Sequence, residues 1–183
     1  MNEHPSPPVL LIGGGAGSGK TALARALAEN IPGAGLIHLD LCYHNDPNLA
    51  PSVPRFDGPG RVVDFSNPAA LDLARIRTAL DHQSDAALII VEGIFALTLP
   101  ELTPPATWTV YVDTPADIRI VRKTLRKLEE GRDVKPGLLG YLASARSYAR
   151  HVRPTRDMAQ LVLDGTLPLP DLVAQVEKHL SGN

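Results

Sequence analysis

The sequence predicts an α/β fold, a three-layer sandwich in which a five-stranded parallel sheet carries helices on both faces. Three observations predict it. Short uninterrupted apolar runs alternate with segments of helical period, as expected for strands buried on both faces. A glycine-rich stretch separates the first apolar run from the first helical segment, the usual place for a ligand-binding turn in such sheets. The chain's 183 residues suit one domain and are few for two.

Each element follows from local signals. Prolines at 5, 7 and 8 forbid regular structure, so residues 1–8 are expected to be a disordered tail and 9–183 a single domain. Residues 9–12 (Val-Leu-Leu-Ile) form a short apolar strand stopped by Gly13, Gly14 and Gly15. Residues 21–30 place Leu23, Ala24, Leu27 and Ala28 at helical spacing, and Pro32-Gly33 closes that helix. Residues 36–40 read as a second strand ending in Asp40. Prolines at 47, 51, 54 and 59 make 42–67 a long loop, a length that usually signals function.

Asn67-Pro68 then starts a helix, with Pro68 at its first position. Residues 86–91 are the clearest buried strand, and 107–112 give another. Thr114-Pro115 opens a helix that runs to about residue 130 and stops at Gly131. Residues 141–150 read as helix, 160–163 as a last strand and 172–180 as a terminal amphipathic helix.

Composition excludes several classes. With 44% hydrophobic residues, enough apolar surface exists to offset chain entropy, so the chain is not disordered throughout. The longest apolar run, residues 86–91, is far short of the about 20 that span a membrane. The amino terminus lacks the basic and apolar segments of a signal peptide. A single cysteine, Cys42, forms no internal disulfide. A net charge of −2 and 4% aromatics argue against nucleic-acid binding. The expected setting is cytoplasmic, with homo-oligomerisation left open.

Gly14-Gly15-Ala16-Gly17-Ser18-Gly19-Lys20-Thr21 matches G-x-x-x-x-G-K-[ST] in full, between a strand and a helix. Glycines let successive backbone N–H groups turn inward around a phosphate, and the helix start adds its dipole. Lys20 brings a full charge to the β/γ oxygens, and the Thr21 hydroxyl suits Mg²⁺. ATP and Mg²⁺ are therefore the expected ligands. Asn-Lys-x-Asp, the guanine-reading tetrapeptide, is absent. Glu92 follows four apolar residues at the end of a buried strand, where a carboxylate needs a partner such as Mg²⁺. Asp40, at the end of the second strand, is placed to take a proton from an attacking hydroxyl or to stand near the metal.

Most of the 18 basic residues fall within 119–156, where a lid over residues 119–140 is expected. Arg119, Arg122 and Arg126 are spaced to share one helix face, and a triphosphate would relieve their mutual repulsion. Tyr43, His44 and Phe65 lie in segments suited to the acceptor. His38 and Trp108 read as structural.

Gly13 to Leu23, Leu39-Asp40-Leu41-Cys42-Tyr43, Val91-Glu92-Gly93-Ile94, residues 111–119 and Arg153-Pro154-Thr155 together resemble the uridine kinases. The wider kin are phosphoribulokinase, nicotinamide riboside kinase and pantothenate kinase. The likeness spans about residues 9–164 in order. It implies Asp40 as general base, Thr21 and Glu92 as supports of Mg²⁺, and lid arginines including Arg132. The family's Arg-Arg-x-x-Arg-Asp is here Arg122-Lys123-Thr124-Leu125-Arg126-Lys127, and its Glu-Arg-Gly-Arg is Glu129-Glu130-Gly131-Arg132. Where uridine kinases show Asn-Phe-Asp-His-Pro, this chain has Asp64-Phe65-Ser66-Asn67-Pro68. By this resemblance Ser66 stands where the family has its ribose-binding carboxylate, and Asp64 is the available substitute. The expected activity is ATP-dependent phosphorylation of a small hydroxyl-bearing acceptor, a nucleoside first. The alternatives are a sugar phosphate, a pantothenate-like or nicotinamide riboside-like acceptor, or a nucleotide-binding regulator without turnover.

Overall fold

The computed structural model describes residues 6–56, 58–99, 101, 102 and 106–182. Its main sheet contains β1 (Val9–Gly14), β2 (Ala34–His38), β5 (Leu88–Glu92), β6 (Ala106–Asp113) and β7 (Leu161–Asp164), in the order β2-β5-β1-β6-β7. Every neighbouring pair is parallel. Five helices accompany the strands among the described residues: α1 (Lys20–Asn30), α2 (Leu73–Asp81), α3 (Ala116–Glu129), α4 (Lys135–Ser147) and α5 (Leu169–Ser181). The predicted doubly covered parallel sheet is what the chain forms.

Alternation along the strands feeds two cores. Leu10 and Ile12 of β1 and Ile90 of β5 pack with Leu23 and Leu27 of α1 and Val176 of α5. Leu11, Ile89 and Val91 turn to the other face, with Ile37, Ile76, Phe95 and Tyr111. Both faces of β1 and β5 are buried, which is why their sequences run apolar without a break. Fully burying one such side chain is worth about 1.5–3 kcal/mol, so the central strands form a rigid base for the loops at their carboxyl ends.

Several boundaries differ from the sequence reading. β2 ends at His38, and Asp40 lies on a 3₁₀ turn, Leu39–Leu41, just beyond it. Residues 42–67 are not loop throughout: β3 (Ser52–Pro54) and β4 (Arg61–Val63) form an antiparallel hairpin. The helix expected from Asn67 splits in two. The Asn67 side chain caps a 3₁₀ turn, Pro68–Ala70, and the Asp72 carboxylate accepts from Ala74 N and Arg75 N at 3.0 and 3.2 Å to start α2. The later helix begins at Lys135, well before residue 141, and passes into a π-helical turn, Tyr148–Val152. Gly131, with φ of 66°, terminates α3 as expected. Of the expected tail, residues 1–5 lie outside the described residues. Pro8 is tied to the sheet, its carbonyl accepting from Ile89 N at 2.9 Å.

Candidate active site

The turn from β1 to α1 needs its glycines. Gly14, Gly17 and Gly19 have φ of 141°, 84° and 100°, a region that L side chains avoid. A Cβ at Gly14 would stand 2.7 Å from Val112 O. The loop is tied down from behind, where Thr114 Oγ1 donates to Ser18 O at 3.0 Å. Two polar groups in it have no counterpart among the described residues. Ser18 Oγ is buried without a hydrogen-bond partner. Lys20 is only 6% exposed and forms no ion pair. Burial pushes the Lys20 ammonium below its usual range, partly opposed by the charges of Glu92 and Asp40. A buried cation and an orphaned hydroxyl beside inward-turned amides fit a bound polyphosphate.

Thr21 and Glu92 meet across the sheet. Thr21 Oγ1 donates to Glu92 Oε2 at 3.1 Å, and His38 Nδ1 lies 2.7 Å from Glu92 Oε1. Glu92 is 2% exposed at the end of β5, so both oxygens are held in place. A hydroxyl and a carboxylate are hard oxygen donors that suit Mg²⁺ carried mainly by phosphate. Among the described residues no group of three or more His, Cys, Asp or Glu forms a protein-only metal cage.

A cavity of about 840 Å³ opens in front of the loop. Gly17, Gly19, Lys20 and Thr21 line it, as do Tyr43, Val62, Asp64, Phe65 and Ser66. Asp40 lies on its wall together with Lys20 and Thr21, and Arg122, Lys123 and Arg126 of α3 border it as well. Arg122 Nη1 donates to Gly165 O at 2.8 Å, while Arg126 Nε is 3.8 Å from Glu130 Oε1.

The structure sorts the sequence candidates. Asp40, Tyr43, Asp64 and Phe65 line the cavity with Lys20, Arg122 and Arg126. Tyr43 is buried, donates from its hydroxyl to Phe65 O at 3.2 Å and meets the Phe65 ring edge-on, with centroids 5.1 Å apart. Asp64 accepts from Ser66 N and Ser66 Oγ at 3.0 and 2.6 Å, so the serine orders the carboxylate beside it.

Three candidates lie elsewhere. His44 Nδ1 is 3.9 Å from Asp72 Oδ2, and His44 is not on the cavity wall. Arg132 Nη1 pairs with Glu130 Oε2 at 3.3 Å, also away from the cavity. Arg119 does not join Arg122 and Arg126 there. It is 4% exposed, with Nε donating to Thr114 O at 3.0 Å and its guanidinium 4.3 Å from the Tyr148 ring centroid. The first turn of α3 packs on the phosphate loop, and only later turns reach over the cavity.

Sequence reasoning missed Lys123, whose ammonium burial and the nearby Lys127 and Arg126 hold below the usual range. It missed Phe56 and Arg55, which line the cavity beside the hairpin residues Val53 and Val62. It also read His38 as merely structural, although β2 pairs with β5 so that His38 stands opposite Glu92.

Comparisons with known proteins agree with this geometry. The model of the phosphoribulokinase / uridine kinase family matches residues 72–168, and the zeta toxin model matches residues 1–43, which include the phosphate loop. A uridine kinase of Lactiplantibacillus plantarum is 30% identical, covering 88% of each chain. One from Deinococcus deserti is 29% identical over 89% of this chain and 90% of its own. Among solved structures, a putative fructose transport system kinase from Silicibacter sp. TM1040 superposes with a TM-score of 0.60 at 19% identity, covering 89% of this chain and 92% of its own. Shikimate kinase from Bacteroides thetaiotaomicron gives 0.53 at 16% identity, covering 95% and 98%. At those identities the structures speak for the fold alone.

Proposed function

From the premise that the chain belongs to the phosphoribulokinase / uridine kinase family, we propose that it transfers the γ-phosphoryl group of ATP to a hydroxyl of a nucleoside, a uridine-like one first. The observation that carries this reading is a single cavity lined by both a phosphate cradle and the carboxylate of Asp40.

In this reading the loop amides and Lys20 hold the β- and γ-phosphates, and the Lys20 charge persists because the polyphosphate compensates it. Thr21 and Glu92 would hold Mg²⁺, which would supply positive charge to offset that of the polyphosphate. Arg122 and Arg126 act as a lid over the transferring group, where charge develops as the bond to ADP breaks. Asp40, on its exposed turn, accepts the proton of the acceptor hydroxyl. Tyr43, Phe65 and Asp64 receive the acceptor, Phe65 with a half-exposed ring and Asp64 with a carboxylate pre-ordered for sugar hydroxyls. No described helix is long and apolar enough to cross a membrane, and we place the enzyme in the cytoplasm with residues 9–183 as one catalytic domain.

The test is product formation. Mg-ATP and uridine should yield ADP and a phosphorylated nucleoside in equal amounts, and neither in the Lys20→Ala variant. ATP turnover indifferent to any hydroxyl acceptor would contradict the reading.

A further inference from the structure

A second, smaller cavity of about 160 Å³ adjoins the first, and both are bordered by Ala16, Ser66, Ile94 and Ser144. It runs between the start of the phosphate loop and α4, and Phe95, Tyr141 and Tyr148 give it an apolar wall. One charged side chain lines it. Arg119 is 4% exposed, and among the described residues no carboxylate pairs with it. Its single side-chain hydrogen bond there runs from Nε to Thr114 O.

The guanidinium is crowded by neighbours, and the Tyr141 ring centroid lies 5.9 Å from it. Tyr148 stacks on one side at 4.3 Å, and the backbone at Gly15 packs so closely that a Cβ there would meet Arg119 Cζ at 2.6 Å. Its Nη1 and Nη2 have no hydrogen-bond partner among the described residues, and the small cavity is the space that Arg119 lines. A guanidinium with donors free in so confined a site favours an anion. A planar carboxylate matches those donors with two parallel hydrogen bonds. A phosphate dianion would have to shed more hydration in an arm with so apolar a wall.

We propose that this arm is a carboxylate subsite. Resting on the kinase reading above, it belongs to the phosphoryl acceptor, because Ser66, which donates to the Asp64 carboxylate, borders both cavities. The preferred acceptor is then a hydroxyl compound that also bears a carboxylate, a carboxylated nucleoside or another hydroxy acid. The hydroxyl faces Asp40 and the carboxylate faces Arg119.

Propionate and propionamide share size and shape and differ in charge, so the pair isolates the subsite from the unknown acceptor. Both are titrated calorimetrically into the full chain, with and without Mg²⁺ and a non-hydrolysable ATP analogue. The expected result is at least about tenfold preference for propionate, the scale of a hydrogen bond to a charged group. Ser144→Leu fills the arm from α4 while keeping Arg119 and the loop, and it should abolish the preference. Arg119→Gln should do the same. Equal binding of the two probes, no binding of either, or a preference untouched in Ser144→Leu would overturn the subsite. Displacement of propionate by the nucleotide analogue would assign Arg119 to the triphosphate and also overturn it. Methyl phosphate binding more tightly than propionate would overturn the choice of carboxylate. Phosphoryl transfer to uridine is assayed separately. Transfer without a propionate preference removes the subsite and leaves the kinase, whereas the preference without transfer to any acceptor does the reverse.

Discussion

Thr21 Oγ1 donates to Glu92 Oε2 across 3.1 Å, joining the first turn of α1 to the end of β5. The other oxygen of Glu92 faces His38 Nδ1 at 2.7 Å. The carboxylate is thus aligned with the hydroxyl that follows the loop lysine. Neutralising it should weaken Mg²⁺-dependent nucleotide binding more than metal-free binding. Glu92→Gln is expected to raise the Mg²⁺ concentration needed for half-maximal ATP affinity by about tenfold or more. Calorimetry of ATP binding across a Mg²⁺ series measures it, and an unchanged Mg²⁺ requirement would show Glu92 to be a strand-end residue only.

Lys20 is buried and has no ion-pair partner among the described residues, and in the proposed reading its charge serves the phosphates. Lys20→Ala should abolish measurable transfer while the protein keeps its circular dichroism and melting cooperativity. Activity within tenfold of the parent would contradict the cradle.

Lys123 titrates below its ordinary range because burial and the neighbouring Lys127 and Arg126 disfavour its charged form. The unfolded chain therefore holds this proton more tightly than the folded one. Stability of the ligand-free protein should rise with pH from the folded pKa up to the ordinary 10.5, insofar as this group acts. A triphosphate favours the charged form, so nucleotide binding near the upper part of that window should take up protons. Calorimetry in buffers of different ionisation enthalpy reads the uptake, and Lys123→Met should reduce it. Proton release on binding would place Lys123 away from the phosphates.

Arg126 borders the cavity with a salt bridge to Glu130, which caps the end of α3. If its charge matters most as the γ-phosphoryl group departs, Arg126→Ala lowers kcat by about 10²-fold or more with a smaller change in ATP affinity. A purely KM effect would make the basic stripe a solvated helix face.

What the sequence made legible was local. The phosphate loop, the buried strand leading to Glu92 and the carboxylate of Asp40 after an apolar run announce themselves within a few residues, although the turn that bears Asp40 does not. The unread parts depend on pairing between distant segments. His38 meets Glu92 only because β2 lies beside β5, an order that no local pattern encodes. Phe56 lines the cavity beside residues of the hairpin that β3 and β4 form inside a proline-rich stretch. Arg119 and Arg126 share a helical spacing, yet the first packs on the loop and the second borders the cavity. The periodicity shows which residues share a stripe. It does not show where along the helix the neighbouring structure ends.

The central claim is that Asp40 takes the acceptor's proton, and Asp40→Asn tests it most directly. Asn keeps the size and the hydrogen-bonding capacity of the side chain and cannot act as a base. General-base assistance is typically worth about 10²–10⁴-fold, with the lower end expected for the loose transition state of phosphoryl transfer. Measured at saturating Mg-ATP with the best acceptor found, kcat should fall by about 10²-fold or more while ATP affinity is retained. A loss smaller than about threefold would remove Asp40 from catalysis and leave the cavity without its base.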